Sequence, residues 1–191
     1  MNVNLEDKRL PPGQRKAVGV PLRHIGDIPH ISVETWRLEV YGEVETPKVF
    51  SFDDLVRMPT ALVVSDFHCV EGWSLLDSKW EGTPFKAIVD VVKPKATAKY
   101  VIFECYDGYT TSLPLSELLK EGVILAYKLD DKPLPLERGG PVRLVVPHKY
   151  AYKSPMWLRK MKFSSAHELG YWEKRGYSDT ADPWKEDRRA W

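Results

Sequence analysis

An α+β fold, with mixed β-sheets and short helices, is what this chain predicts, and three observations carry the prediction. Runs of β-rich residues recur along it, from Trp36–Tyr41 to Met156–Phe163. The helical patterns between them are short, each cut off by proline or glycine. Strands and helices also fail to alternate regularly, which argues against a doubly wound parallel sheet. At 191 residues the chain is long enough for one substantial core and short for two, so a single domain over 1–191 is expected.

The elements follow in order. Residues 1–30, rich in Pro, Gly and charge, read as an extended arm. Trp36 to Tyr41 alternates and stops at Gly42, which makes a strand. Ser51 caps a short helix through Phe52, Leu55 and Val56 that Pro59 ends. Ala61 to Val64 is a short apolar strand, followed by a turn-prone stretch. Thr83-Pro84 supplies an N-cap and N1 pair, Phe85, Ile88, Val89 and Val92 follow at helical spacing, and Lys93-Pro94 stops the helix. Tyr100 to Tyr106 is β-rich, and Asp107-Gly108 turns tightly into a second strand, Tyr109 to Leu113. Ser116 starts a short helix that Gly122 ends, and Val123 to Leu129 reads as strand before the turn at Asp130-Asp131-Lys132-Pro133. Val142 to Val146, nearly all apolar and bracketed by prolines, is expected to be buried on both faces. Met156 to Phe163 gives a last strand. In the tail, 170–191, the rings of Tyr171, Trp172, Tyr177 and Trp184 are expected to pin the segment across the domain surface.

The formal net charge of +1 gives no footprint for nucleic acid or acidic membranes, so neither is an expected partner. No apolar run reaches membrane-spanning length, so no membrane insertion is expected. The stretch Met1–Arg9 has no apolar signal region and no twin arginine, and two cysteines suit a reducing compartment. A cytoplasmic location is the expectation.

Cys69, in Asp66-Phe67-His68-Cys69-Val70-Glu71-Gly72-Trp73-Ser74, is the most informative residue. It reads either as a buried apolar thiol or as a lone metal-binding or nucleophilic thiolate. His68 beside it faces the other way if both lie on a strand, so the two would not share an ion. Without a CxxC, HExxH or second Cys/His cluster, a structural zinc site is disfavoured. A cysteine hydrolase would need a base, and the spacing of His24, His30, His148 and His167 selects none. Cys105, alternating within its strand, reads as core. The segment 139–154 delivers Lys149, Lys153 and Ser154 on a loop after a buried strand, a set able to cradle a phosphate or simply to form a solvated basic loop.

Several of these pieces occur together in one order. Cys-Val-Glu-Gly-Trp-Ser comes first, then Trp80-Glu81-Gly82-Thr83-Pro84-Phe85, Asp107-Gly108-Tyr109, Gly140 to Pro147, and Tyr152-Lys153-Ser154. That order resembles the molybdopterin-dependent oxidoreductases of the sulfite oxidase superfamily, nearer the branch of the methionine sulfoxide reductase catalytic subunit than sulfite oxidase proper. It runs from about Arg23 to the end, including Gly176-Tyr177 and Asp182-Pro183-Trp184.

The resemblance implies a sulfite-oxidase-type fold binding molybdopterin and molybdenum. It makes Cys69 the single protein ligand of the metal, a soft thiolate suited to an ion already held by dithiolene sulfur. By the same resemblance Asp107 and Gly108 line the metal pocket and Tyr109 stands near the substrate mouth. Lys153 and Ser154 hold the pterin's terminal phosphate, and Arg143 positions the pterin or that loop. Arg23 and His24 reach over the pterin, and His68 supports the ligand.

Three departures shape the expected activity. Where sulfite oxidases follow the ligand cysteine with Asn-Arg, this chain has Glu71-Gly72-Trp73, which demotes an anionic substrate. With no haem domain expected before the core and no dimerisation domain after it, a separate electron-transfer partner, haem or other redox protein, is implied, and a monomer is compatible with the reading. The related reductase is exported, whereas this chain shows no signal. Met156 also stands where the family often carries a basic residue. The expected function is oxygen-atom transfer, or a related two-electron step, on a small S- or N-oxide or sulfur compound. Sulfite oxidation, a metal-free binding module and a cysteine hydrolase are the alternatives.

Overall fold

The computed structural model describes residues 9–19 and 21–190. The reading of Met1–Arg9 as leaderless therefore falls mostly outside the described residues, as do Val20 and Trp191. Two sheets organise the chain. The first has five strands in the order β3 (Lys48–Ser51), β2 (Arg37–Gly42), β11 (Leu158–Ser164), β6 (Tyr100–Cys105) and β7 (Thr110–Pro114). Only β2 and β11 run parallel within it.

The second sheet has six strands. Along it lie β1 (Arg15–Lys16), β5 (Trp73–Pro84), β8 (Ile124–Leu129) and β10 (Arg143–Val145), with β4 (Ala61–Cys69) on β5 and β9 (Lys132–Pro133) on β8. Here β1 is the parallel member. Three short helices join the strands: α1 (Phe52–Val56), α2 (Phe85–Val92) and α3 (Leu115–Leu118). The predicted α+β class with mixed sheets is what forms. No helix among the described residues is long and apolar enough to cross a membrane.

Alternation explains how the sheets pack. Leu38 and Val40 of β2, Phe103 of β6 and Met161 and Phe163 of β11 share one core with Phe85 and Ile88 of α2. Leu125 and Leu144 of the second sheet reach the same core. Their neighbours Ile124, Ala126 and Val145 point the other way, into a smaller cluster with Phe67 and Trp80. The second sheet is thus buried on both faces around β8 and β10, as the apolar run at Val142–Val146 predicts.

Four local expectations need correction. The strand begun at Ala61 does not stop at Val64 but runs nine residues to Cys69. β5, twelve residues long, is absent from the predicted elements. Its end takes in Thr83 and Pro84, so α2 starts at Phe85 with no side-chain cap. The Thr83 hydroxyl instead donates to the Leu55 carbonyl at 3.0 Å, tying α1 to the strand. Likewise Ser116 lies inside α3, behind Pro114. The Ser51 cap does form, as a reciprocal box with Asp54. The arm has β1 as its one strand among the described residues, joined by turns and bends, and in the tail Trp184 is 53% exposed.

Candidate active site

The turn that carries Cys69 joins β4 to β5. Cys69 pairs with Trp73 on the last rung, and the Gly72 amide closes the turn on the Cys69 carbonyl at 3.0 Å. Gly72 has φ +90°, and a Cβ there would lie 3.1 Å from the Gly13 carbonyl oxygen, so glycine is required. A register shift between Ser65 and Phe67 re-aims the end of β4. Phe67 and Cys69 then line a cleft of about 470 Å³.

Four other parts of the chain complete that cleft. Asp107 and Tyr109 come from the β6–β7 turn, where Gly108 takes φ +83° and the Asp107 carboxylate accepts from the Tyr109 amide at 3.0 Å. Arg143 of β10 and Ser154 form one wall, and Arg23 and His24 of the arm also line the cleft. Of the residues singled out in the sequence, Arg23, His24, Cys69, Asp107, Tyr109, Arg143 and Ser154 are brought together on this surface, with Gly108 shaping its turn.

The charges there are arranged unevenly. Arg143 is 7% exposed, donates to the carbonyls of Arg138 and Ser154 at 2.9 and 2.8 Å, and sits over Phe67 and Trp80 at 5.2 and 5.5 Å. Burial lowers its pKa to about 10, still charged at neutral pH, and no carboxylate pairs with it among the described residues. Beside the thiol the charges are matched instead. Glu71 is held by Arg23 at 2.9 Å and accepts from the Trp73 indole at 3.1 Å, and the Arg23 hydrogen bond keeps its carboxyl below the usual range. Burial pushes the half-buried Asp107 carboxyl upward.

Two candidate residues lie elsewhere. His68 is turned to the far face of β4, with Nδ1 2.8 Å from the Ser74 hydroxyl and its ring near Trp184. Lys153 does not line the cleft: its ammonium is buried against Glu173 at 2.5 Å, Asp179 at 3.0 Å and the Ser112 carbonyl at 3.0 Å. Lys149 is likewise bound to Glu117, at 3.2 Å. The lysines of the 139–154 loop are therefore taken up by the protein's own carboxylates. The Ser154 hydroxyl accepts from the Val146 amide at 2.9 Å. The sequence reading does not single out Arg138, a second cation on the cleft wall. The signal available for it was its position, one residue before Gly139-Gly140.

These residues limit the chemistry. Burial, chiefly, pushes the Cys69 thiol up to about 11, so only about one in ten thousand would be ionised at pH 7. No imidazole among the described residues hydrogen-bonds it, which removes the basis of the hydrolase reading. A metal, by contrast, displaces the thiol proton on binding. Among the described residues no group of three His, Cys, Asp or Glu could hold an ion. A metal on Cys69 would therefore need ligands that the described side chains do not supply, such as those of an organic group in the cleft. The donor set fits such a group: Arg138 and Arg143 offer charge for an anionic phosphate, and the Trp80 indole N–H is buried without a partner.

Comparison with known proteins agrees. The sulfane dehydrogenase SoxCD of Paracoccus pantotrophus matches with a TM-score of 0.72 at 22% identity, covering 81% of this chain and 44% of that one, a likeness of fold. The uncharacterized oxidoreductase YuiH of Bacillus subtilis (strain 168) is 41% identical over 184 residues, 96% of this chain and 93% of its own length. A putative protein-methionine-sulfoxide reductase subunit, YedZ1 of Azospira oryzae, is 34% identical over 152 residues, 80% of this chain and 58% of its own. The protein-methionine-sulfoxide reductase catalytic subunit MsrP of Burkholderia mallei is 33% identical over 160 residues, 75% of this chain and 47% of its own. The chain thus spans only about half the length of these reductase subunits. The profile of the oxidoreductase molybdopterin binding domain matches residues 25–172. The chain belongs to that family: it is an oxidoreductase whose cofactor is molybdopterin.

Proposed function

We propose that the protein reduces a small, uncharged sulfoxide, with Cys69 as the protein's one ligand to molybdenum. The observation that carries this reading is the surface beside the thiol. It presents the Glu71 carboxylate, already tied to Arg23, and the aromatic faces of Phe67, Trp73 and Trp80. With the Arg23 charge matched by Glu71, sulfite finds no unpaired cation among these side chains, whereas a neutral S-oxide meets apolar walls. The names of the YedZ1 and MsrP relatives point the same way.

The bound centre supplies two-electron exchange of an oxygen atom. In balance, a sulfoxide takes up two electrons and two protons and leaves as the sulfide plus one water, with the electrons delivered by a separate redox protein. Arg138 and Arg143 would hold the phosphate of the pterin, the role the sequence resemblance gave to Lys153 and Ser154. Tyr109 is fixed by its hydroxyl donating to the Tyr152 carbonyl at 2.6 Å, so it shapes the cleft rather than moving a proton. Asp107 is a cleft carboxyl that burial raises above the usual carboxylate range, the side chain there best suited to exchange a proton.

The test is elemental and pterin analysis of the purified protein, followed by turnover of dimethyl sulfoxide or methionine sulfoxide with a reduced viologen dye. Cys69→Ser should fold, by circular dichroism and melting, yet lose molybdenum-dependent turnover. A protein lacking both molybdenum and pterin, or one oxidising sulfite faster than it reduces any sulfoxide, overturns the reading.

A further inference from the structure

Three pieces of chain far apart in sequence meet at the Cys69 turn. From the arm, the Gln14 amide donates to the Cys69 carbonyl at 3.0 Å, and the Arg15 amide to the Gly72 carbonyl at 3.0 Å. From the tail, Arg188 donates to the Val70 carbonyl through one nitrogen and to the Gly13 carbonyl at 3.2 Å through another. A Ser74 hydroxyl at 3.2 Å from Gln14 Oε1, itself 2.8 Å from His68 Nδ1, orients the amide of Gln14. The Arg188 guanidinium is 5.4 Å above the Tyr150 ring, is 23% exposed and has Glu186 at 3.6 Å. Gln14 and Arg188 both lie outside the span matched to the family, 25–172.

We infer that Gln14 and Arg188, one from each flank of the family domain, are positioning residues that hold the Cys69 turn, Arg188 placing its positive charge at the Val70 carbonyl, next in the chain to the metal's sulfur ligand. The inference rests on the proposed role of Cys69. The physical case is geometric. Every carbonyl from Cys69 to Gly72, apart from that of Glu71, accepts a bond from a distant segment, and Arg188 bridges two segments with one planar fork. A fixed cation near the thiolate favours the reduced metal, because reduction adds negative charge to the site.

The test uses Arg188→Gln, Arg188→Lys and Gln14→Ala in the full chain. Hydrogen exchange on cofactor-free protein should quicken about tenfold at Gly72 and Arg15 in Arg188→Gln, the expected effect of losing one charge-assisted hydrogen bond, with the melting transition still cooperative. Arg188→Lys, which keeps the charge but not the fork, should show the faster exchange too. With molybdenum bound, Arg188→Gln should lower the reduction potential, and Arg188→Lys should hold it near that of the unaltered protein. Gln14→Ala should loosen the turn without moving the potential. Unchanged exchange and unchanged potential in Arg188→Gln overturn the inference. If the unaltered protein holds no molybdenum, it is the reading of Cys69 that fails, while the exchange result still decides whether the turn is clasped.

Discussion

Replacing Lys153 with methionine separates two roles for this residue, phosphate binding and structural pairing. Its ammonium is 2.5 Å from Glu173 Oε1, which also accepts from the Thr111 hydroxyl at 2.6 Å. Both side chains of the pair are 1% exposed, so water screens their attraction little. Asp179, 40% exposed, is screened and adds little. Methionine fills the volume of the lysine stem but strands the Glu173 charge in the interior. Removing one partner of a buried pair costs about 3–5 kcal/mol. For a chain of this size each kcal/mol moves Tm by about 2–4 °C, so the midpoint should fall by about 6–20 °C. Adding Glu173→Leu to Lys153→Met should recover much of the loss, because the stranded charge goes with it. Urea and thermal unfolding of cofactor-free protein at neutral pH measure both. A loss below about 1 kcal/mol, within the ordinary range of point substitutions, would refute the buried pair. A well-folded Lys153→Met should also keep its molybdopterin, since the side chain is turned away from the cleft. Selective loss of the cofactor would restore the phosphate role and remove it from Arg138 and Arg143.

Two further outcomes follow from local geometry. Burial raises the pKa of Glu117, but Lys120 and Lys149 outweigh it and draw the folded-state value down to about 2, below the ordinary carboxylate value. The unfolded chain therefore takes up this proton first. The stabilisation is complete above the unfolded value and is lost as pH falls toward about 2, so urea midpoints should drop on acidification through that window. Glu117→Gln should flatten the slope there. Gly82→Ala should destabilise by at least about 2 kcal/mol, by denaturant titration, because a Cβ there would meet the Leu125 carbonyl oxygen at 2.1 Å in a paired strand. A neutral Gly82→Ala would mean that β5 and β8 do not pack as described.

What was legible in the sequence depended on how local the determining contacts are. α2 could be read because Phe85, Ile88 and Val92 repeat at the helical period and Lys93 takes the left-handed cap. The β6–β7 hairpin could be read because Asp107-Gly108 is a turn signal between alternating runs. β5 was hidden. Its alternation is broken by Asp77 at φ +56°, by the register shift in its partner β4 and by Gly82. Within the site, Cys69, Asp107, Tyr109 and Arg143 stand on elements whose motifs are contiguous. The pairing of Lys153 was hidden because its partners Glu173 and Asp179 lie 20 and 26 residues downstream, so the fate of its charge is a tertiary matter. The same holds for Gln14 and Arg188, which meet the Cys69 turn from 55 and 118 residues away. His68 obeyed the strand rule, facing away from its neighbour.

The two cysteines have a practical consequence for chemical labelling. Cys69 and Cys105 are 7% and 1% exposed, and burial pushes both thiols up, that of Cys69 to about 11. A solvent-exposed cysteine, with a pKa near about 8.5, is roughly two orders of magnitude more ionised at neutral pH. A Lys185→Cys substitution, at a side chain 77% exposed beside Trp184, would thus create the one fast-reacting sulfur on the described surface. A fluorophore, spin label or photoreductant can be attached there with neither native cysteine removed.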